Sequence, residues 1–249
     1  MSTGDTNDGP LSDRTNLVIV NTAERYQSVL DRVATAARAA GRAPESVRVL
    51  AAVKTQSPEA IAALVDAGGT LLGHNRAQEL VEVAPALGGL RPGVNLEHHF
   101  IGQLQTNKAA RVVDLVSCVH SVDRMSLAQK LSSAAESRSR TLDVFVQINA
   151  SGEETKAGAQ PDDALRLALD VSALPALRVR GLMTIGANST DPAVVDRSFA
   201  VMQELSRAVV QAGLHAPELS MGMSQDLDAA IAHGATMVRI GSDIFGARP

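Results

Sequence analysis

One pattern constrains this chain more than any other: a short apolar run, a polar turn and an amphipathic helix, returning eight times. The runs fall at 47–53, 70–72, 98–101, 115–119, 142–148, 179–184, 218–221 and 237–240. Helix starts follow them. Ser57 precedes Pro58 as an N-cap with proline at the first helical position. Thr106, the stretch from His120 to Asp123, Asp191, Ser224 and Ser242 read as later openings. Parallel strands need crossovers of this kind. An extra helix, from 17 to about 40, precedes the first run. Val18, Tyr26, Val29, Leu30 and Val33 make its apolar stripe, and Gly41 stops it. Eight strand–helix units after one extra helix is the count of an α/β chain folded as a single (β/α)8 TIM barrel. A doubly wound open sheet shares the alternation and stands as the alternative.

No linker divides the chain. Residues 1–14, rich in Ser, Thr, Asp, Asn and Gly, read as a disordered tail, and 15–249 as one domain. The start lacks the charged-then-apolar pattern of a signal peptide, and no run reaches the about 20 apolar residues of a membrane span. The expectation is a cytoplasmic protein with no membrane partner. A formal charge of −4 gives no electrostatic reason to expect nucleic acid. The chain has no Trp and one Tyr, so its core must come from aliphatic side chains. Cys118, the single cysteine, sits in an apolar run and reads as a buried, inert thiol. No sustained outward apolar excess marks an interface, so a monomer is the simplest expectation.

Barrel chemistry gathers at the C-terminal ends of the strands. Lys54 closes the first run. Taken alone, a strand-end lysine points into water. The sharper reading is an amine held in a pocket, where desolvation makes it a carbonyl-capturing nucleophile. Ser224 and Ser242 stand after the last two strands, where barrels often hold phosphate. A helix N-terminus there would favour an anion. Arg239 interrupts an apolar strand and points either outward to a carboxylate or into the barrel mouth. A lysine, a phosphate site and an arginine on one rim suit pyridoxal 5′-phosphate: aldehyde, phosphate and ring nitrogen each find a partner.

The motifs go further. Ala51-Ala52-Val53-Lys54, Gly73-His74-Asn75-Arg76, the stretch from His99 to Lys108, His120-Ser121-Val122-Asp123 and the loop from Ser151 to Gly158 are one set. Gly181-Leu182-Met183-Thr184, Leu219-Ser220-Met221-Gly222-Met223-Ser224 and Val238-Arg239-Ile240-Gly241 complete it. From about residue 47 to the end the chain closely resembles the YggS/PROSC family of pyridoxal phosphate homeostasis proteins, which share the barrel of the alanine racemase N-terminal domain. The resemblance implies that Lys54 holds pyridoxal 5′-phosphate as a Schiff base. It implies that Ser224, Gly241 and Ser242 bind the phosphate, that Arg239 faces the pyridine nitrogen, and that Asn75 and Met223 line the ring pocket. One departure is His74, where the family usually carries Glu.

An arginine stays protonated and donates to an unprotonated ring nitrogen, which leaves the ring a poor electron sink. Three functions can be set against these residues. The favoured one is a non-catalytic carrier in intracellular cofactor homeostasis, serving pyridoxal-phosphate-dependent apoenzymes. A racemase is the alternative, but two-base racemization needs a second acid/base, and Tyr26 lies on the first helix. A metal hydrolase is disfavoured: His98 and His99 alternate across a strand, and no clustered carboxylates accompany them. No metal ligand set is therefore expected. Lys156 follows Glu153 and Glu154, which would keep it charged and make it a weaker imine former than Lys54.

Overall fold

The structure, a computed structural model, describes residues 11–246, with side chains described from residue 21. Residues 1–10 of the expected tail and the side chain of Val18 fall outside that description. Eight parallel strands close on themselves in chain order. They are β1 (Arg48–Ala52), β2 (Leu71–His74), β3 (Glu97–Phe100), β4 (Cys118–Val122), β5 (Leu142–Gln147), β6 (Leu177–Met183), β7 (Glu218–Ser220) and β8 (Met237–Ile240). Closure is made by β1 against β8, with Arg48 opposite Met237 and Ala51 opposite Ile240. That pairing excludes the open sheet.

The helices α2 (Pro58–Asp66), α3 (Ala77–Leu90), α4 (Ala109–Val113), α5 (Met125–Glu136), α6 (Ala164–Ser172), α7 (Pro192–Gln211), α8 (Leu227–Ala232) and α9 (Ser242–Phe245) follow the strands. The extra helix α1 (Leu11–Ala39) begins six residues before the sequence expectation, so residues 11–14 are helical. It packs against α2, α8 and α9 through the stripe Tyr26, Val29, Val33 and Ala37. Since α9 has only four residues, α1 fills the eighth place in the outer ring. Arg42, just beyond α1, ties it down by donating to the carbonyls of Ile231 and Ala235 at the end of α8.

Alternation along each strand sends one set of side chains to the helices and the other into the barrel. Val49, Ala51 and Val53 belong to the large core between strands and helices. Leu50 and Ala52 belong to an inner cluster with Leu71, Ile101 and Met237. Cys118, Phe145 and Met183 form a second inner cluster. At the N-terminal end Arg48 pairs with Glu97, Arg178 with Asp143, and Arg180 with both Asp143 and Glu218.

Several boundaries differ from the sequence expectation. β4 lies at 118–122, so His120 and Ser121 are strand residues and do not open a helix. Leu115 belongs to the turn that ends α4, its N–H bonding Val112, and this moved the apparent run toward the N-terminus. Thr106 starts a 3-10 turn and caps nothing. α3 runs on through Pro85 to Leu90. Ser57 and Asp191 do accept hydrogen bonds as N-caps, from Ala60 and Ala193.

Candidate functional site

A cavity of about 1320 Å³ opens at the C-terminal ends of the strands. Lys54, Asn75 and Arg239 line it, together with Met223, Ser224, Gly241 and Ser242. Lys54 stands two residues past the inward-facing Ala52, so it continues the inner face of β1. Thr55 after it adopts φ of 63°, a left-handed conformation costly for a β-branched residue. Its hydroxyl donates back to the Lys54 carbonyl at 2.6 Å, a local bond that partly offsets the strain. Among the described residues no carboxylate forms an ion pair with Lys54.

Arg239 points inward, which settles the choice its strand position left open. Val238 and Ile240 belong to the outer core, while Arg239 is buried inside the barrel. Its Nη1 donates to the Ser220 carbonyl at 2.6 Å and to Ser220 Oγ at 2.9 Å; its Nη2 donates to the Thr184 carbonyl at 2.7 Å. A guanidinium has five N–H groups, and these bonds engage three of them. Burial pulls the Arg239 pKa down to about 10, against an opposing pull from Asp226. The group still carries its proton at neutral pH.

Ser224 and Ser242 come together across the last two strand–helix loops, their hydroxyls 3.2 Å apart. Neither is the expected N-cap. Ser224 precedes α8 by a turn, with Asp226 next to the helix, and Ser242 is the first residue of α9. Both helices are short, so hydroxyls and turn N–H groups supply the polar character here more than a helix dipole does. The loop geometry depends on Gly222, at φ of 95°, where a Cβ would also lie 2.7 Å from Ala230. The nearby carboxylates are engaged: Asp226 accepts from the Met223 N–H at 2.5 Å, and Asp228 pairs with Arg32.

Asn75 follows β2 and is pressed against Gly102, where any Cβ would come within 2.0 Å of the Asn75 carbonyl oxygen. Gly73 faces inward, since a Cβ there would meet Leu50 and Ile101. His74 therefore faces outward, buried, with Nε2 2.9 Å from His98 Nδ1. Burial, helped by the charges of His98 and His99, drives its pKa down to about 3. It is a neutral packing residue behind the cavity wall.

Two participants had no distinct signal in the sequence. Arg32 of α1 donates to the Ser224 carbonyl at 2.6 Å and pairs with Asp228, which ties the extra helix to the serine loop. The second is the wall formed by the loop between β6 and α7, where Asn188, Ser189 and Thr190 line the cavity beyond the rim residue Gly186. Lys156 also lines it, as a donor to Glu153 Oε1 at 2.7 Å and to the Gly186 carbonyl at 2.6 Å. His98 and His99 face opposite ways, as alternation requires. His99, Cys118 and His120 gather inside the barrel with their ligand-capable atoms within 4.8 Å of one another. Burial, with the neighbouring Asp143, Glu218 and Glu97, raises the Cys118 thiol well above its usual range. No described helix is long and apolar enough to cross a membrane.

Comparison with known proteins agrees with this fold. Residues 27–249 match the family model described as the alanine racemase N-terminal domain. The chain is 42% identical over 232 residues to the pyridoxal phosphate homeostasis protein of Escherichia coli K12, covering 91% of this chain and 96% of that one. It is 39% identical over 230 residues to the protein of that name from Aquifex aeolicus, covering 92% and 99%. Among solved structures, PipY of Synechococcus elongatus PCC7942 with PLP bound superposes with a TM-score of 0.75 at 33% identity, covering 90% of this chain and all (100%) of that one. The alanine racemase of Corynebacterium glutamicum superposes at 0.70 with 17% identity, covering 94% of this chain and 62% of that one, a likeness of fold alone. The chain belongs to the pyridoxal phosphate homeostasis protein family, built on the barrel of the alanine racemase N-terminal domain.

Proposed function

We propose that this chain binds pyridoxal 5′-phosphate at the barrel mouth and acts as a non-catalytic carrier in its homeostasis, passing it to dependent apoenzymes as a monomer. The observation that carries the reading is the buried Arg239, which lines one cavity with Lys54 and is fixed there by Ser220 and Thr184. The cofactor would supply an aldehyde when bound, and Lys54 would be the amine that holds it. Ser224, Ser242 and the backbone at Gly241 hold the phosphate, while Asn75 and Met223 bound the ring. The donor set fits: an amine without a carboxylate partner, paired hydroxyls for an anion, and a cation for the ring nitrogen.

Arg239 supports a reading without carbanion chemistry. A guanidinium carries donors only, and three of these are held by Ser220 and Thr184, so toward a ring nitrogen Arg239 would donate and favour that nitrogen without a proton. No His, Tyr or Cys lines the cavity among the described residues. Tyr26 is buried in α1, its hydroxyl raised by burial. Lys156 is committed as a donor to Glu153 and Gly186. The carboxylates in the lining are engaged elsewhere: Asp226 accepts from the Met223 N–H, Asp228 pairs with Arg32, and Asp196 with His233, which supports the carrier over a racemase.

Absorbance spectroscopy with borohydride reduction tests the reading. The loaded protein should show a band near the visible edge that borohydride bleaches, and peptide mapping should place the adduct on Lys54. An adduct surviving in Lys54→Ala would overturn the lysine assignment. Racemization or α-proton exchange of alanine at ordinary enzymatic rates would overturn the carrier.

A further inference from the structure

A continuous line of hydrogen bonds runs through the barrel from the cavity to its opposite end. Arg239 Nη1 lies 2.9 Å from Ser220 Oγ, and Ser220 Oγ lies 2.9 Å from His120 Nδ1. His120 Nε2 lies 2.9 Å from His99 Nδ1, and His99 Nε2 lies 2.8 Å from Glu97 Oε1. The other oxygen of Glu97 accepts from Arg48 Nη2 at 2.5 Å. Ser220 and His120 are wholly buried, and His99 is 3% exposed. His120 is further held against Phe145, with ring centroids 4.5 Å apart.

The sense of every bond follows from the two ends. A guanidinium can only donate, so Ser220 Oγ accepts from Arg239 and its own proton is free to go to His120 Nδ1. With both imidazoles neutral, a His120 Nδ1 that accepts from Ser220 leaves its proton on Nε2, which it gives to His99 Nδ1. His99 in turn carries its proton on Nε2, facing Glu97. From the other end the result is the same: an ionised carboxylate only accepts, so His99 Nε2 must donate. Glu97 is held down to about 2, chiefly by the hydrogen bond from His99 and also by Arg48. His120 is held well below the usual histidine range, by burial first and then by electrostatic coupling to His99, Arg239 and Arg48. Cys118 adds no charge, because its thiol is raised by burial, and Asp143 and Glu218 are neutralised by Arg178 and Arg180.

We propose that Ser220, His120, His99 and Glu97 are positioning residues for Arg239: a hydrogen-bond relay of single sense that holds its guanidinium toward the cavity and fixes where each imidazole carries its proton. The bond order is independent of what the cavity holds. Its consequence for a ring nitrogen rests on the function proposed above.

Long-range proton–nitrogen correlation spectra of the 15N-labelled full chain test the relay without any ligand. His99 and His120 should both show a bare Nδ1 and a protonated Nε2 at neutral pH; a proton on Nδ1 of either would overturn it. Acid digestion should release no zinc; stoichiometric zinc would assign His99, Cys118 and His120 to a metal and overturn it. In protein loaded with pyridoxal 5′-phosphate, Ser220→Ala should shift the bound absorbance band and weaken retention about tenfold. Glu97→Gln, at the far end, should move the band in the same direction by less, and Ser220→Thr should restore it. A lower melting temperature with an unmoved band in Ser220→Ala and Glu97→Gln would reduce these residues to packing and overturn the positioning role. If the chain takes up no pyridoxal 5′-phosphate, the proposed function fails while the nitrogen spectra still decide the relay.

Discussion

The hydroxyls of Ser224 and Ser242 lie 3.2 Å apart, although one belongs to the loop after β7 and the other to the first turn after β8. Each can turn its proton from its partner to an incoming anion. Their alanine variants should therefore discriminate by phosphate. Ser224→Ala or Ser242→Ala should weaken pyridoxal 5′-phosphate binding about tenfold, for a loss of about 1.4 kcal/mol, while leaving pyridoxal unaffected. Because the hydroxyls share one site, the double variant should lose less than the product of the singles. Equal losses for both ligands, measured by equilibrium dialysis, would remove the phosphate from this end of the cavity.

Arg32 reaches the same loop from α1, by a bond to the Ser224 carbonyl and an ion pair with Asp228. It is partly exposed, so the pair adds little stability, and its effect is to fix the loop. Arg32→Ala should weaken pyridoxal 5′-phosphate binding by about two- to fivefold, in line with a loss of up to about 1 kcal/mol. High salt should narrow the difference from wild type, since the ion pair is screened. An unchanged affinity at low salt would show that the loop holds its shape without α1.

His74 gives the fold a pH dependence of known sign. Its pKa falls from 6.5 in the unfolded chain to about 3 in the folded protein, through burial and then His98 and His99. Below pH 6.5 the unfolded chain takes up a proton that the folded one refuses. The stability it contributes is thus complete above pH 6.5 and lost progressively as the pH falls toward 3. Urea midpoints should decline across that window, and His74→Gln should flatten the decline. His98 and His120, also lowered by burial, should leave a residual slope in the variant. Identical slopes in both proteins would deny His74 the role.

Ser121 is buried on β4 with a hydroxyl that makes no hydrogen bond among the described residues. A buried hydroxyl without a partner costs roughly 1–3 kcal/mol of desolvation. Ser121→Ala should hold or raise the unfolding free energy by about 1 kcal/mol. A loss of more than that in chemical denaturation would mean that the oxygen has a partner such as an internal water.

Much of the fold was legible because helical and strand periods differ and caps such as Ser57 and Asp191 mark where one gives way to the other. The misplaced β4 shows the limit. Leu115 and Val116 are as apolar as a strand, yet they finish the α4 turn and lead into the strand, which pure hydropathy cannot distinguish. Lys54 and Arg239 could be nominated from position on the rim. Arg32 could not, because its partner Ser224 lies 192 positions away and nothing local announces it. The relay was hidden for a similar reason: Ser220, His120, His99 and Glu97 sit on three different strands, and only their inward parity aligns them.

By itself the sequence determined eight strand–helix units, an extra first helix, and a rim that collects Lys54, Asn75, Ser224 and Ser242. These follow from local rules of period, capping and alternation. The tertiary structure alone decided that the sheet closes, β1 against β8, and that Arg239 points inward. Alternation says that neighbours face opposite sides, but only the packing of Val238 and Ile240 against the helices says which side is which. Closure then brings residues from opposite ends of the chain to one cavity, a distance that no local rule encodes.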